Sequence, residues 1–82
     1  MSNGAMRHVR VYHAPGCHLC ERAIEVVESV RAETAFELTL VDIGGDPELE
    51  VLYRERIPVL EIDGEPAFTY FVTPEALRDR LG

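Results

Sequence analysis

The spacing of apolar residues changes abruptly in the short segment between His13 and Cys17. Before it, residues 7–13 alternate polar and apolar side chains, which is the two-residue period of a strand. After it, apolar residues recur at helical spacing for about 17 residues, so a helix is predicted to begin at Cys17. A chain of 82 residues closes one small domain. The strand and the helix must therefore share a single core with everything that follows.

The next two elements are predicted from composition and capping signals. Residues 36–43 are rich in branched side chains and become apolar on both faces, which predicts a strand inside a covered sheet. Asp46 is a suitable N-cap, and Pro47 suits the first position of a helix. A second helix is therefore predicted up to about Glu55.

The C-terminal third predicts a hairpin and a closing helix. Residues 57–62 and 65–71 have strand composition, and Asp63-Gly64 between them is a strong two-residue turn signal. Pro66 suits an edge strand. Thr73 followed by proline predicts the start of the last helix.

The predicted order is β-α-β-α-β-β-α, an α/β fold with a mixed four-stranded sheet covered by helices. A helical crossover makes the first two strands parallel, and the short turn makes the last two antiparallel. We expect one domain over residues 7–82, preceded by a flexible N-terminus at residues 1–6.

The charge of the chain excludes several classes of partner. Fifteen acidic residues oppose eight arginines, for a net charge of −7. Phosphate groups would be repelled, so nucleic acid and anionic membranes are not expected as partners. No apolar run approaches the ~20 residues of a membrane span, and a secretory signal core is not evident. The expected location is the cytoplasm.

The two cysteines, Cys17 and Cys20, favour redox chemistry. Cysteines three residues apart at a helix start can bring their sulfurs together, and the helix N-terminus favours thiolate over thiol. A bridge that closes four residues would stabilise the fold by only ~2 kcal/mol, which makes a poor structural staple.

Two other interpretations of the cysteine pair stay open. The spacing is also half of a zinc site, to which His13 or His18 would add a nitrogen ligand. Only His8 remains elsewhere as a further histidine, so no metal site is predicted. Alternatively, both cysteines are buried as small apolar side chains.

The segments "VRVYHAPGCHLC" and "ERIPVLEIDG" resemble the glutaredoxin-like proteins of the thioredoxin superfamily, in particular the short bacterial ones. The resemblance extends from Val9 to about Gly64 and implies a thioredoxin fold. It further implies a cis peptide bond before Pro58 and a backbone at Ile57 that pairs with a substrate beside Cys17.

Several residues depart from the pattern of related families, and they indicate which proteins of the superfamily the chain resembles least. Val11 stands where thioredoxins have a buried acid, and Gly16 stands where they have tryptophan, so thioredoxin proper is disfavoured. Glutaredoxins that bind glutathione carry two glycines where this chain has Phe68 and Thr69, and a basic residue where it has Ala14. We expect Phe68 to obstruct the approach of glutathione.

The function implied by the resemblance is thiol-disulfide exchange without a bound cofactor. Cys17 would attack and Cys20 would resolve the mixed disulfide, while Ile57 and Pro58 would contact the substrate. His13 and His18 are candidate substrate contacts because of their places beside and within the motif. Two alternatives stay open for them: His18 favours the thiolate as an imidazolium, or either histidine simply faces water. Expected partners are protein or glutathione mixed disulfides, with glutathione or a reductase as electron donor, and the protein would be a monomer. The alternatives are an iron–sulfur or other soft-metal module and a redox-inert adaptor.

The sequence also predicts the surroundings of three further apolar side chains. Tyr70 and Phe71 either wall a groove next to Pro58 or pack between the last strand and the last helix. Leu19 is expected to pack in the core.

Overall fold

The computed structural model describes residues 6–82 and has the predicted order of elements. Residues 1–5, most of the expected flexible N-terminus, lie outside the described part of the chain. Three helices and four strands are formed: β1 (His8–His13), α1 (His18–Arg31), β2 (Glu37–Asp42), α2 (Pro47–Tyr53), β3 (Val59–Ile62), β4 (Glu65–Thr69) and α3 (Pro74–Leu81).

The four strands form one sheet in the order β2-β1-β3-β4. β1 pairs in parallel with β2 and antiparallel with β3, and β3 pairs antiparallel with β4, which confirms both predicted orientations. Asp63 and Gly64 both have positive φ, 54° and 87°, as a two-residue hairpin turn requires. Pro66 lies on β4, an edge strand, as predicted.

The two faces of the sheet carry separate apolar clusters. On one face, α1 and α3 cover Val9, Val11 and Leu60. On the other face, Tyr12 and Val59 pack against α2, where the Tyr12 ring stacks on Tyr53 with centroids 4.1 Å apart. This alternation follows from the period of two along β1 and β3. Helices therefore cover both faces, as predicted.

The strand predicted over residues 36–43 forms between Glu37 and Asp42, but its expected place inside the covered sheet is wrong. β2 is an edge strand and has no buried residue, and Leu40 in its middle is 43% exposed. Its apolar residues contribute to both faces, because Leu38 packs against the cluster under α1 and α3 and Val41 packs against the cluster under α2.

Several predicted boundaries also move. α1 has 14 residues and ends at Arg31, where the chain turns through backbone bonds to Val30 and then buries Phe36. α2 ends at Tyr53, β3 begins only at Val59, and β4 ends at Thr69. No helix of residues 6–82 is long and apolar enough to cross a bilayer.

Candidate functional site

The two cysteines lie at the start of α1 and are joined in a disulfide, with their Cα atoms 5.2 Å apart. Cys17 is the N-cap of the helix, and its Sγ accepts a hydrogen bond from the backbone N–H of Cys20 at 3.1 Å. The side chain of Cys17 is partly exposed, whereas Cys20 is only 1% exposed. A reactant in solvent can therefore reach the sulfur of Cys17 and not that of Cys20.

The chain enters this site through a glycine in the left-handed region. Gly16 has φ +77°, a conformation that costs glycine little and other residues more. The strand before it is fixed at its end, because the Ile43 N–H donates to the His13 carbonyl at 2.8 Å. The turn at Gly16 thus connects a fixed strand end to the helix that carries the cysteines.

A depression of about 280 Å³ opens beside Cys17. Its walls come from residues 14–17, the turn at Ile43 and Gly44, Glu50 and Arg54 on α2, and Ile57. Arg54 is the only cationic residue of this lining, and its Nη1 lies 3.9 Å from Glu50 Oε1, a long and solvent-exposed pair. A thiolate on Cys17 would be stabilised by the positive end of α1, where the Cys20 N–H already donates to its sulfur.

The loop before β3 brings Ile57 and Pro58 next to the cysteine site. The Ile57–Pro58 peptide bond is cis, as the resemblance implied, and Pro58 is buried. Ile57 lines the same depression as Cys17, and its N–H donates to the Tyr53 carbonyl at 3.1 Å. The structure thus brings Cys17 and Ile57 together in one depression, with Cys20 bonded to Cys17 and Pro58 following Ile57 in the chain.

The two candidate histidines do not line this depression. The His18 side chain is 94% exposed, and its Nδ1 lies 3.7 Å from Glu21 Oε1. His13 is half-buried at the end of β1, in register with Asp42 of the neighbouring strand. Neither position brings an imidazole together with Ile57.

The expectation that Leu19 packs in the core is wrong, because Leu19 is 39% exposed. Phe68 packs against the main core, with the Arg80 guanidinium 5.8 Å from its ring centroid. The obstruction of glutathione by Phe68 stays a prediction. The Tyr70 N–H donates to the Pro58 carbonyl at 2.9 Å. Tyr70 and Phe71 are 43% and 72% exposed, so they do not pack under α3.

Sequence reasoning missed the contribution of α2 to the site. Glu50 and Arg54 both line the depression beside Cys17, and neither is among the candidate residues of the sequence analysis. The predicted N-cap at Asp46 places Glu50 and Arg54 on one helix, and residues four apart on a helix lie on the same side. The sequence pattern does not indicate that this side of α2 faces Cys17.

Metal-ligating groups are not clustered in the part of the chain that the structure describes. Within residues 6–82, no three histidine, cysteine, aspartate or glutamate side chains lie close enough together to hold a metal ion.

Comparison with known proteins gives a family and a fold. The family described as Glutaredoxin-like domain (DUF836) matches residues 8–82. The solution structure of protein Ne2328 from Nitrosomonas europaea is 32% identical with a TM-score of 0.78, and the match covers 100% of both chains. The X-ray structure of protein XcR50 from X. campestris is 31% identical with a TM-score of 0.75, and covers 89% of this chain and 93% of that one.

Thioredoxins are more distant and show the fold alone. The Fasciola hepatica thioredoxin is 23% identical with a TM-score of 0.62, over 93% of this chain and 78% of that one. No curated protein matches the chain in sequence.

Proposed function

Because the chain belongs to the Glutaredoxin-like domain (DUF836) family, we propose that it is a thiol-disulfide oxidoreductase that works through Cys17 and Cys20. The observation that carries the proposal is the unequal setting of the two sulfurs. Cys17 is the partly exposed N-cap with a backbone N–H directed at its Sγ, and Cys20 is buried one turn along the same helix. That arrangement suits one attacking and one resolving thiol.

The proposed reaction moves two electrons from the reduced cysteine pair to a substrate disulfide. The Cys17 thiolate attacks one substrate sulfur, and the other leaves as a thiolate that takes up a proton. Cys20 then loses its proton and attacks the Cys17 sulfur, which releases the second substrate thiol and forms the Cys17–Cys20 disulfide. Two equivalents of a monothiol, or one dithiol reductase, return the pair to its reduced form.

The backbone beside Pro58 is the proposed contact for the substrate chain. Since the Ile57 N–H is bonded to Tyr53, the Ile57 carbonyl is the group that we expect to accept from a substrate N–H. His13 and His18 would contact only the parts of a substrate that extend beyond the depression.

The partners and the setting belong to the same proposal. We infer that the substrates are protein or glutathione mixed disulfides, that glutathione or a reductase supplies the electrons, and that the protein acts as a monomer without a bound cofactor. Thiol reductants of this kind are abundant in the cytoplasm, which is the proposed location.

The test is turnover of a glutathionylated peptide, with glutathione and its reductase as electron source. We expect turnover by the wild type and none by Cys17→Ser, while Cys20→Ser should accumulate a mixed disulfide detectable by intact mass. Full activity of Cys17→Ser would overturn the proposal. Visible absorbance with bound iron and sulfide in the purified protein would favour a metal-binding module instead.

A further inference from the structure

A second groove lies on the α1 side of the cysteine pair. Leu19, Arg22 and Val26 on α1 face Tyr70, Phe71 and Val72 in the loop after β4. We call it the aromatic groove, and its volume is about 360 Å³. It begins at Leu19, which lies between the two cysteines in sequence. One wall of the groove therefore belongs to the first turn of α1, the turn that carries the cysteine pair.

Three apolar side chains of the aromatic groove are exposed to solvent. Phe71 is 72% exposed, Tyr70 43% and Leu19 39%. Single exposed apolar residues are common, but three around one concave surface form a patch of the kind that marks interaction sites.

The backbone at Tyr70 is held in an unusual conformation. Tyr70 has φ +71°, and the Phe71 N–H donates to the Thr69 carbonyl at 2.8 Å, which together make a γ-turn of the rare, strained kind. The turn is anchored at both ends of Tyr70. Its N–H donates to the Pro58 carbonyl, and its hydroxyl donates to the Glu55 carbonyl.

Strained conformations of non-glycine residues persist only where the surroundings hold them, and they concentrate at binding and active sites. Here the strained turn is tied to Pro58 and leaves the Phe71 side chain largely in solvent, in the same groove as Leu19. The strained conformation does not bury Phe71. Its effect is to hold the Phe71 side chain at the protein surface.

The charge of the aromatic groove is opposite to that of the whole chain. Arg22 is its only charged lining residue, and among residues 6–82 it has no carboxylate within ion-pair distance. The chain as a whole carries −7. An apolar surface with one unpaired guanidinium fits a segment that carries an apolar side chain and a carboxylate.

We propose that the aromatic groove selects protein substrates, and that its occupant is an extended partner segment with an apolar and an acidic residue close to the disulfide cysteine. The apolar side chain lies between Leu19 and Phe71, and the carboxylate binds Arg22. This inference rests on the proposed function, since the partner sulfur must reach Cys17.

The test is the second-order rate constant with which the reduced protein reduces a short peptide. The peptide carries its cysteine as a mixed disulfide with 2-mercaptoethanol, with leucine and aspartate nearby. Phe71→Ser should lower the rate constant about tenfold, as expected when an aromatic contact at the centre of an interface is removed. Arg22→Glu should lower it about three- to fivefold, and should raise it for a peptide with lysine in place of aspartate.

The matched control is Val51→Ser, because Val51 on α2 is 85% exposed and lies outside the groove. It should change the rate constant less than twofold, within about the effect of an ordinary surface substitution. All three variants should reduce bis(2-hydroxyethyl) disulfide, which is too small to fill the groove, at the wild-type rate.

The outcomes separate the two proposals. Equal rates for Phe71→Ser and Val51→Ser on the peptide, with normal rates on the small disulfide, would overturn the groove and leave the oxidoreductase intact. Failure of the wild type on both substrates would overturn the oxidoreductase itself. A wild-type dimer in sedimentation that Phe71→Ser converts to a monomer would assign the groove to a second copy and refute the peptide segment.

Discussion

Reduction of the Cys17–Cys20 disulfide should cost this fold little stability. A redox-active protein must be folded in both states, whereas a structural disulfide is one whose loss unfolds the chain. The bridge here closes a loop of four residues and lies at the end of a single helix. We therefore expect the reduced protein to retain the whole sheet and all three helices.

The expected loss of stability follows from the length of the loop that the disulfide closes and from the helix N-cap. Closing four residues reduces the entropy of the unfolded chain by an amount worth about 2 kcal/mol at 25 °C. After reduction Cys17 is still the N-cap, and a thiolate at a helix N-terminus restores about 0.3–1 kcal/mol. The net loss is about 1–2 kcal/mol, against a total of roughly 4–12 kcal/mol for 82 residues. The Tm should fall by roughly 4–16 °C.

Urea unfolding followed by circular dichroism measures this difference directly. The oxidised protein is compared with protein reduced by tris(2-carboxyethyl)phosphine, and the double variant Cys17→Ser with Cys20→Ser controls for effects of the reductant itself. A loss above about 4 kcal/mol, or an unfolded reduced protein, would refute the reasoning and make the bridge a structural staple.

Two further predictions concern the scaffold. Leu60 is 1% exposed on the inner strand β3, so Leu60→Ala should lower the free energy of unfolding by about 2–5 kcal/mol. In the same urea assay, Val51→Ala should change the free energy of unfolding by less than about 0.5 kcal/mol. The His8 backbone N–H, and after it the Arg7 guanidinium, hold the pKa of Asp63 below its ordinary value of 3.8. A lowered folded-state pKa makes this contribution complete above about pH 4, and it is lost as the pH falls through the lowered value. Asp63→Asn should therefore lose stability at neutral pH and show a flatter acid limb; identical pH profiles would contradict this.

Local signals in the sequence were sufficient for the order of the elements and for the starts of α2 and α3. The Asp46 carboxylate accepts from the Glu48 N–H at 3.1 Å, and the Thr73 hydroxyl accepts from the Ala76 N–H at 3.1 Å, so both predicted caps are confirmed. Asp63-Gly64 forms the predicted turn. Caps and turns depend on residues that are neighbours in the chain, which is why a single sequence predicts them.

Features that depend on distant contacts were not predictable in this way. The exposure of β2 follows from its place at the edge of the sheet, and its own composition does not indicate that place. The exposure of Tyr70 and Phe71 follows from the positive φ at Tyr70, where no glycine in the sequence signals a break in the strand. Long-range packing fixes both features, and it also places Arg54 in the lining of the same depression as Cys17.

The last prediction concerns the proton of the Cys20 thiol, which lies in an apolar interior. Among residues 6–82 no polar or charged side chain is buried, and Val11, 0% exposed, stands where the resemblance places the buried acid of thioredoxins. The Cys20 thiol therefore has no buried carboxylate to accept its proton, which must pass to water or to the departing thiolate. We expect the release of substrate from the Cys17 mixed disulfide to rise with pH as a single thiol titration. Single-turnover release measured across the pH range checks this, with His13→Gln and His18→Gln as controls for the two nearby imidazoles. A second ionisation that survives in both variants would mean that another group takes the proton, and would contradict the role given to the apolar surroundings of Cys20.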